Sequence, residues 1–124
     1  VNPLPFKRPR FGKNKSVFNE EQYSNFKTEL GFYAKAAMHE KLFFNECLTG
    51  AIRLTADFYK LKPKNMLIKN WGDLDNHVKA VMDALTGICY TDDSQVVEIH
   101  ATKNFGDPHI FIQLEEITLQ SGGK

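Results

Sequence analysis

The sequence of residues 72–94, GDLDNHVKAVMDALTGICYTDDS, decides the fold and the chemistry predicted for this chain. Asp73 and Asp75 stand at the start of a pattern in which apolar residues recur every three or four positions. Asp92 and Asp93 follow the end of that pattern. Such spacing is typical of an amphipathic helix. The segment therefore predicts a helix with one pair of carboxylates at its start and a second pair just beyond its end.

The helix is predicted over residues 75–86. Asp75 is the expected N-cap, because its carboxylate can accept hydrogen bonds from the free N–H groups of the first turn. Gly87 suits the left-handed backbone position that often follows a last helical turn. Asp75, Lys79 and Asp83 stand four residues apart, so they share one face of the helix.

For any single aspartate in this pattern, the simplest interpretation is a helix cap or a solvated residue. The combination of two pairs favours a site, because a tight return after a short helix can bring the second pair close to one helix end. Converging carboxylates repel each other unless a cation lies between them. Hard oxygen ligands suit Mg²⁺ or Mn²⁺, which can activate water and stabilise charge on a phosphodiester. Lys79 would add positive charge at the phosphate.

The rest of the chain predicts one further helix and three strands. A long helix is expected over residues 20–48, followed by a half-buried strand over residues 51–59. Residues 96–103 and 109–117 also alternate, and the turn signal at residues 106–108 predicts that they form an antiparallel hairpin. The predicted fold class is α/β (α+β), a single compact domain in which two main helices pack against a small mixed β-sheet.

Length and composition indicate one domain over residues 1–124. Residues 1–18 are predicted to be a basic arm or loop, because their prolines exclude a helix, although short edge strands are possible there. Residues 121–124 read as a disordered tail. Two cysteines suggest neither a disulfide scaffold nor a zinc site, and they are expected to be small buried hydrophobes. With no signal peptide or membrane-spanning run in the sequence, the expected location is the cytoplasm.

Basic residues are clustered, although the formal net charge is only +1. One cluster lies near the start of the chain and another lies just before the first aspartate pair. Local clusters of this kind can bind the DNA backbone even when the total charge is close to zero. A flexible solubilising segment explains the first cluster equally well. The predicted DNA-binding residues are Lys7, Arg8, Arg10, Lys13, Lys62, Lys64 and Lys69.

Four short motifs resemble the signature of the RusA family of Holliday-junction resolvases. They are Asp73-Leu74-Asp75-Asn76, Lys79-Ala80, Asp83-Ala84-Leu85 and Asp92-Asp93-Ser94-Gln95-Val96. The close match covers residues 72–98, and the general layout is similar over nearly the whole chain. Because this signature is long and spaced, it is far more specific than an isolated Asp-x-Asp.

The resemblance implies a small, homodimeric, Mg²⁺-dependent endonuclease that resolves four-way DNA junctions by paired symmetric nicks, in recombination and repair. The family's metal-binding acids fall on Asp73, Asp75 and Asp93, and Asp92, which matches the neighbouring acid, is predicted to assist at the metal. The essential lysine of the family falls on Lys79. Mn²⁺ is an expected substitute for Mg²⁺, and the implied partners are branched DNA and a second copy of the chain, with no membrane. The family is common in phages and prophages, so a mobile-element origin is also implied.

Two other interpretations of the same residues stay open. A branched-DNA binding protein without cleavage activity would use the same basic clusters, but it would gain nothing from acids that face phosphate. A structural domain whose aspartates only cap helices would leave the second acidic pair unexplained. Absence of divalent-cation binding would favour either alternative over a nuclease.

Overall fold

The structure, a computed structural model, describes Pro3 and residues 20–42, 47–62 and 73–119, the side chains of residues 39–42 excepted. In this part of the chain, two helices and a three-stranded mixed sheet form a single compact α+β domain, which confirms the predicted fold class. The elements in chain order are α1 (Glu20–Leu42), β1 (Ala51–Lys60), α2 (Leu74–Leu85), a 3₁₀ turn (Asp93–Gln95), β2 (Val96–Phe105) and β3 (His109–Ile117).

Strand β1 lies in the middle of the sheet, which has the order β2-β1-β3. It runs parallel to β2 and antiparallel to β3. Both of its hydrogen-bonding edges are therefore paired, so the strand can be buried without leaving polar backbone groups unsatisfied. The predicted apolar face is confirmed, and the ring of Phe58 lies 5.2 Å from the ring of His77 on α2. Its members, each no more than 1% exposed, are Ile52, Leu54, Ala56 and Phe58.

The hairpin predicted from residues 96–103 and 109–117 is wrong. These residues do form strands of opposite direction, but β1 lies between them and pairs with both. The turn at residues 106–108 therefore crosses the end of β1, where the Gly106 N–H donates to the Lys60 carbonyl at 2.9 Å. Alternation along a strand reports which face is buried, but it does not report which strand is the neighbour. The most apolar strand takes the central place because burial is greatest there.

Helix α2 connects the parallel strands β1 and β2, so it runs back across the sheet in the opposite direction. It spans Leu74–Leu85, one residue earlier than predicted. The N-cap is Asp73, and the prediction of Asp75 for this role is wrong. The helical hydrogen bonds begin between the His77 N–H and the Asp73 carbonyl, which places Asp75 inside the first turn. Gly87 has φ +84°, as expected for a glycine just beyond a helix end.

Helix α1 ends at Leu42, not at residue 48 as predicted. At residue 48 the chain has already left the helix, because the Leu48 N–H donates to the Cys89 carbonyl at 2.7 Å. Gly31 permits close packing in the middle of α1, where a Cβ would lie only 2.5 Å from Ile88 Cδ1. The buried face of α1 carries Tyr23, Phe26 and Leu30, each 6% exposed.

The remaining sequence predictions concern cysteines, membranes and the two ends of the chain. Cys89 is buried and Cys47 is half-buried, and both are free thiols. No helix in the described part of the chain combines the length and the apolar character needed to cross a membrane. The basic arm predicted for residues 1–18 lies outside the described residues except for Pro3, which is buried. The tail predicted for residues 121–124 also lies outside them.

Candidate active site

An open cleft of about 900 Å³ lies between α2 and β2. Acidic, basic and apolar side chains line it together. Residues from α2, from the 3₁₀ turn before β2 and from β2 itself line this cleft. The lining residues are Asp73, Leu74, Asp75, Val78, Lys79, Met82, Asp93, Ile99, Ala101 and Lys103.

The first acidic pair lies at the N-terminus of α2. Asp73 is the N-cap by its backbone, but its side chain makes no capping hydrogen bond, and its carboxylate is exposed to the cleft. Asp75 Oδ1 accepts from the Asn76 N–H at 2.9 Å. Both carboxylates stand where the helix dipole favours negative charge. The helix thus supports two neighbouring anions at one end of the cleft.

Lys79 lies one helical turn beyond Asp75, about 6 Å further along the axis of α2. Its Nζ lies 3.5 Å from Asp83 Oδ1. The other oxygen of Asp83 accepts a 2.6 Å hydrogen bond from the hydroxyl of Tyr23 on α1. Burial, together with this hydrogen bond, raises the pKa of Tyr23 well above its ordinary value, so the hydroxyl stays a donor. Asp83 therefore connects the cleft lysine to the buried face of α1.

The second acidic pair lies in the acidic turn, residues 91–95. Asp92 is the N-cap of the 3₁₀ turn and accepts from the Ser94 N–H at 3.2 Å. This backbone hydrogen bond is the main reason that the pKa of Asp92 is lowered, with the backbone N–H of Asp93 as a further donor. Asp93 is the first residue of the 3₁₀ turn and lines the cleft, whereas Asp92 is not among the lining residues.

The three cleft acids share one cavity without meeting at one point. In the described ranges, no three His, Cys, Asp or Glu side chains are grouped closely enough to hold one metal ion. The donor chemistry nevertheless fits a hard divalent cation, because all the anionic side chains among the lining residues are carboxylates. Among the lining residues, Asp73, Asp75 and Asp93 are therefore the ones whose oxygens could coordinate such an ion.

Comparison with known families identifies the family of this chain. The model of a family described as endodeoxyribonuclease RusA matches residues 1–115 of the 124-residue chain. The chain belongs to the RusA endodeoxyribonuclease family. The family predicted from the sequence motifs is thereby confirmed.

A relative of the RusA-family chain is an uncharacterized protein, YqaN, of Bacillus subtilis (strain 168). The two are 40% identical over 47 residues, which is 37% of this chain and 33% of the relative. The match thus spans only about a third of the relative's length.

Lys103 lines the cleft of this structure, and the sequence prediction missed it. It lies on β2 in the series Ile99, Ala101 and Lys103, which alternates onto the cleft face of the strand. Ile99 is 46% exposed there, although the residue beside it on β1, Leu54, is fully buried. The alternation could have found Lys103, since it places every second residue of β2 on one face. What the pattern could not reveal is that α2 leaves this part of the sheet open.

The basic residues predicted to bind DNA are mostly outside the described part of the chain. Lys62 is exposed, and its Nζ lies 5.7 Å from the ring centroid of Phe105, in the range of a cation–π contact. It does not line the cleft. Those outside the described residues are Lys7, Arg8, Arg10, Lys13, Lys64 and Lys69.

Proposed function

We propose that this protein is a Mg²⁺-dependent endonuclease that resolves four-way (Holliday) DNA junctions by paired symmetric nicks. One observation carries the proposal: Asp73, Asp75, Asp93 and Lys79, the four positions singled out by the family signature, line a single cleft. Asp73 and Asp75 lie at the start of α2, and Lys79 lies one turn further along the same helix. Asp93 lies in the 3₁₀ turn that follows. Membership in an endodeoxyribonuclease family supplies the reaction class.

Asp73, Asp75 and Asp93 are the proposed metal ligands, with Mg²⁺ as the cofactor and Mn²⁺ as a substitute. Three carboxylates along one cleft repel one another, so a bound cation relieves their repulsion. When bound, the metal supplies a Lewis acid for the phosphate and lowers the pKa of a water molecule. Asp92 assists indirectly, because it shapes the backbone turn that carries Asp93.

Lys79 is proposed to place its ammonium beside the phosphate, where negative charge develops as the bond breaks. Asp83 limits the directions that this side chain can take, since the two residues form an i,i+4 ion pair. Lys103 adds a second positive charge to the same cleft. A cleft with two lysines and three acids suits a phosphate together with a metal ion better than it suits either alone.

Further DNA binding is assigned to the basic clusters of the sequence around Arg8 and Lys64. Such side chains position the DNA backbone and carry no sequence information. The protein is proposed to act as a homodimer, because a two-fold axis relates two active sites in the way that a four-way junction relates its two cleaved strands. Its proposed location is the cytoplasm, where the DNA substrate is found, and no membrane partner is expected.

The decisive test compares nicking of a synthetic four-way junction with nicking of a matched linear duplex in Mg²⁺. The wild type should nick the junction symmetrically and spare the duplex. Asp75→Asn should still bind the junction but should lose about 100-fold or more of the nicking rate, because metal assistance is worth several kcal/mol. Asp107→Asn is the matched control, since Asp107 is an exposed acid in the turn between β2 and β3.

Tight junction binding by the wild type without any nicks, in Mg²⁺ or in Mn²⁺, would contradict the proposal. That result would identify a branched-DNA binding protein without catalytic activity. Equal losses of nicking in Asp75→Asn and in Asp107→Asn would contradict the assignment of Asp75 to the active site.

A further inference from the structure

The side chain of Gln95 joins two distant parts of the chain by four hydrogen bonds. Its Nε2 donates to the carbonyl of Leu48 at 2.9 Å and to the carbonyl of Gly50 at 3.1 Å. Its Oε1 accepts from the N–H of Thr91 at 2.9 Å and from the N–H of Asp92 at 3.1 Å. Leu48 and Gly50 lie just before β1, and Thr91 and Asp92 begin the acidic turn.

No other type of side chain of this size can make the same set of bonds. A primary amide has two N–H donors and a carbonyl oxygen that can accept two hydrogen bonds, and Gln95 uses all of them. A carboxylate would keep the acceptor oxygens, but it would face two carbonyl oxygens without a proton to donate. An apolar side chain would make none of the four bonds.

The hydrogen bonds of Gln95 affect the position of Asp93, which lies in the same turn. Asp92 closes the acidic turn locally, by accepting from Ser94 within the turn. Gln95 instead connects the same turn to the entry of β1, the central strand of the sheet. Asp93 lies between these two residues, so its position relative to the sheet depends on the bonds of Gln95. The other acids of the cleft are carried by α2, which packs on the same sheet.

We propose that Gln95 is a positioning residue, which holds the acidic turn so that the Asp93 carboxylate faces the cleft. The inference rests on the proposed function, in which Asp93 is a metal ligand, and extends it to a residue that touches neither metal nor DNA. Residues that hold a metal ligand by hydrogen bonds typically contribute about 10- to 100-fold to metal affinity or activity. The amide of Gln95 is expected to contribute a factor within this range to metal affinity or activity.

The test uses two variants and a matched control in the full-length protein. Gln95→Met removes all four hydrogen bonds at similar length, and Gln95→Glu keeps only the acceptor pair. Gln113→Met makes the same chemical change at an exposed position of β3, away from the cleft. Three quantities are measured: amide exchange at Thr91 and Asp92 by NMR without metal or DNA, the Mg²⁺ concentration that gives half-maximal nicking, and junction affinity without divalent cation.

In Gln95→Met, the amides of Thr91 and Asp92 should exchange about tenfold faster or more, because their acceptor is lost. The Mg²⁺ concentration for half-maximal nicking should rise about tenfold or more, with junction affinity unchanged within about twofold. Gln95→Glu should keep the slow amide exchange and should give a smaller rise in the Mg²⁺ requirement. Gln113→Met should match the wild type in all three quantities.

A Gln95→Met variant with the Mg²⁺ dependence and the nicking rate of the wild type would overturn the inference and leave the proposed function standing. Faster exchange throughout the sheet, including the β1 amides, would also overturn it, because Gln95 would then serve general stability. Failure of the wild type to nick the junction would overturn the proposed function and, with it, the role of Gln95 toward the metal.

Discussion

Asp92 and Asp93 are neighbours in the chain, but the fold gives their carboxylates different surroundings. Asp92 accepts a hydrogen bond from the Ser94 backbone, which lowers its pKa and commits one of its oxygens to the turn. Asp93 is one step further along the 3₁₀ turn and lines the cleft. The chemistry of the two side chains is identical, so backbone geometry alone separates a residue that shapes the turn from a candidate ligand.

Cys89 should make stability depend on pH in the alkaline range. Its side chain is 1% exposed, and burial, with a smaller effect of Cys47, raises the pKa of the thiol from 9.0 to about 11. Between these values the folded protein keeps a proton that the unfolded chain has lost. Stability is therefore full below pH 9 and falls as pH rises toward 11, by about 2–3 kcal/mol for this group.

The measurement is the free energy of unfolding in urea between pH 8 and about pH 11, under reducing conditions, for the wild type and Cys89→Ala. The variant should lose less stability over this range than the wild type. Cys47→Ala is the control and should keep most of the wild-type slope, because burial of Cys89 and not its neighbour is the larger cause. Identical slopes in the wild type and Cys89→Ala would contradict the prediction.

At the scale of elements, α1 contributes to the candidate site through α2. The 2.6 Å hydrogen bond from Tyr23 to Asp83 and the ion pair from Asp83 to Lys79 form a continuous path from the core face of α1 to the cleft. The two helices must therefore pack in a fixed register for Lys79 to keep its place. Gly31 lies in this interface, where Ile88, just beyond the end of α2, packs against it.

Gly31→Ala should disturb the contact between α1 and the segment after α2. The new methyl group would lie 2.5 Å from Ile88 Cδ1, so we expect a loss of about 1–2 kcal/mol, after overpacking is offset by the better helix propensity of alanine. Ile88→Val alone should cost about 1 kcal/mol. It also removes the clashing Cδ1 atom, so the double variant should be more stable than the sum of the single effects predicts.

The check is a double-mutant cycle by urea unfolding, with a coupling of at least about 1 kcal/mol between the two positions expected. In the Ile88→Val background, Gly31→Ala should become neutral or stabilising. Additive effects would mean that α1 and the segment after α2 can move apart freely. The close packing of Gly31 against Ile88 would then have no energetic consequence.

At the scale of the whole molecule, the candidate active site is an opening between α2 and β2 and not a feature of one element. Its acids come from a helix N-terminus and from a turn, and its second lysine comes from the far part of β2. One such cleft per subunit, repeated by a two-fold axis, gives the proposed dimer two equivalent sites. Each site would then cut one of the two symmetric strands of a junction.

Hybrid dimers of wild-type and Asp75→Asn subunits should separate the two nicks. On a plasmid that extrudes a cruciform, wild-type dimers should give linear product, because both strands are cut at the junction. Purified hybrids should give nicked circles, since one site has lost its metal ligand. Hybrids of wild type with Asp107→Asn provide the control and should give linear product. Linear product from the Asp75→Asn hybrids would contradict paired action by two subunits.

The sequence by itself predicted α2, the buried face of β1 and four of the cleft residues, Asp73, Asp75, Lys79 and Asp93. Apolar spacing gave α2 to within one residue, and period-two alternation identified the buried face of β1. Both are local properties, because helical and strand periods are fixed by backbone geometry within a few residues. The motifs around Asp73 and Lys79 led to the RusA family for a related reason, since the acids and the lysine of that signature stand at short, fixed spacings along the chain.

Only the tertiary structure decided which strands are neighbours and which side chains face the cleft. The central place of β1, the separation of β2 from β3 and the inclusion of Lys103 all depend on contacts between residues far apart in the chain. Alternation along β2 is the same whether its partner is β1 or β3, so the sequence could not choose. The contact of Gln95 with Leu48 is likewise invisible in a local pattern, because a hydrogen bond between distant segments exists only once the chain has folded.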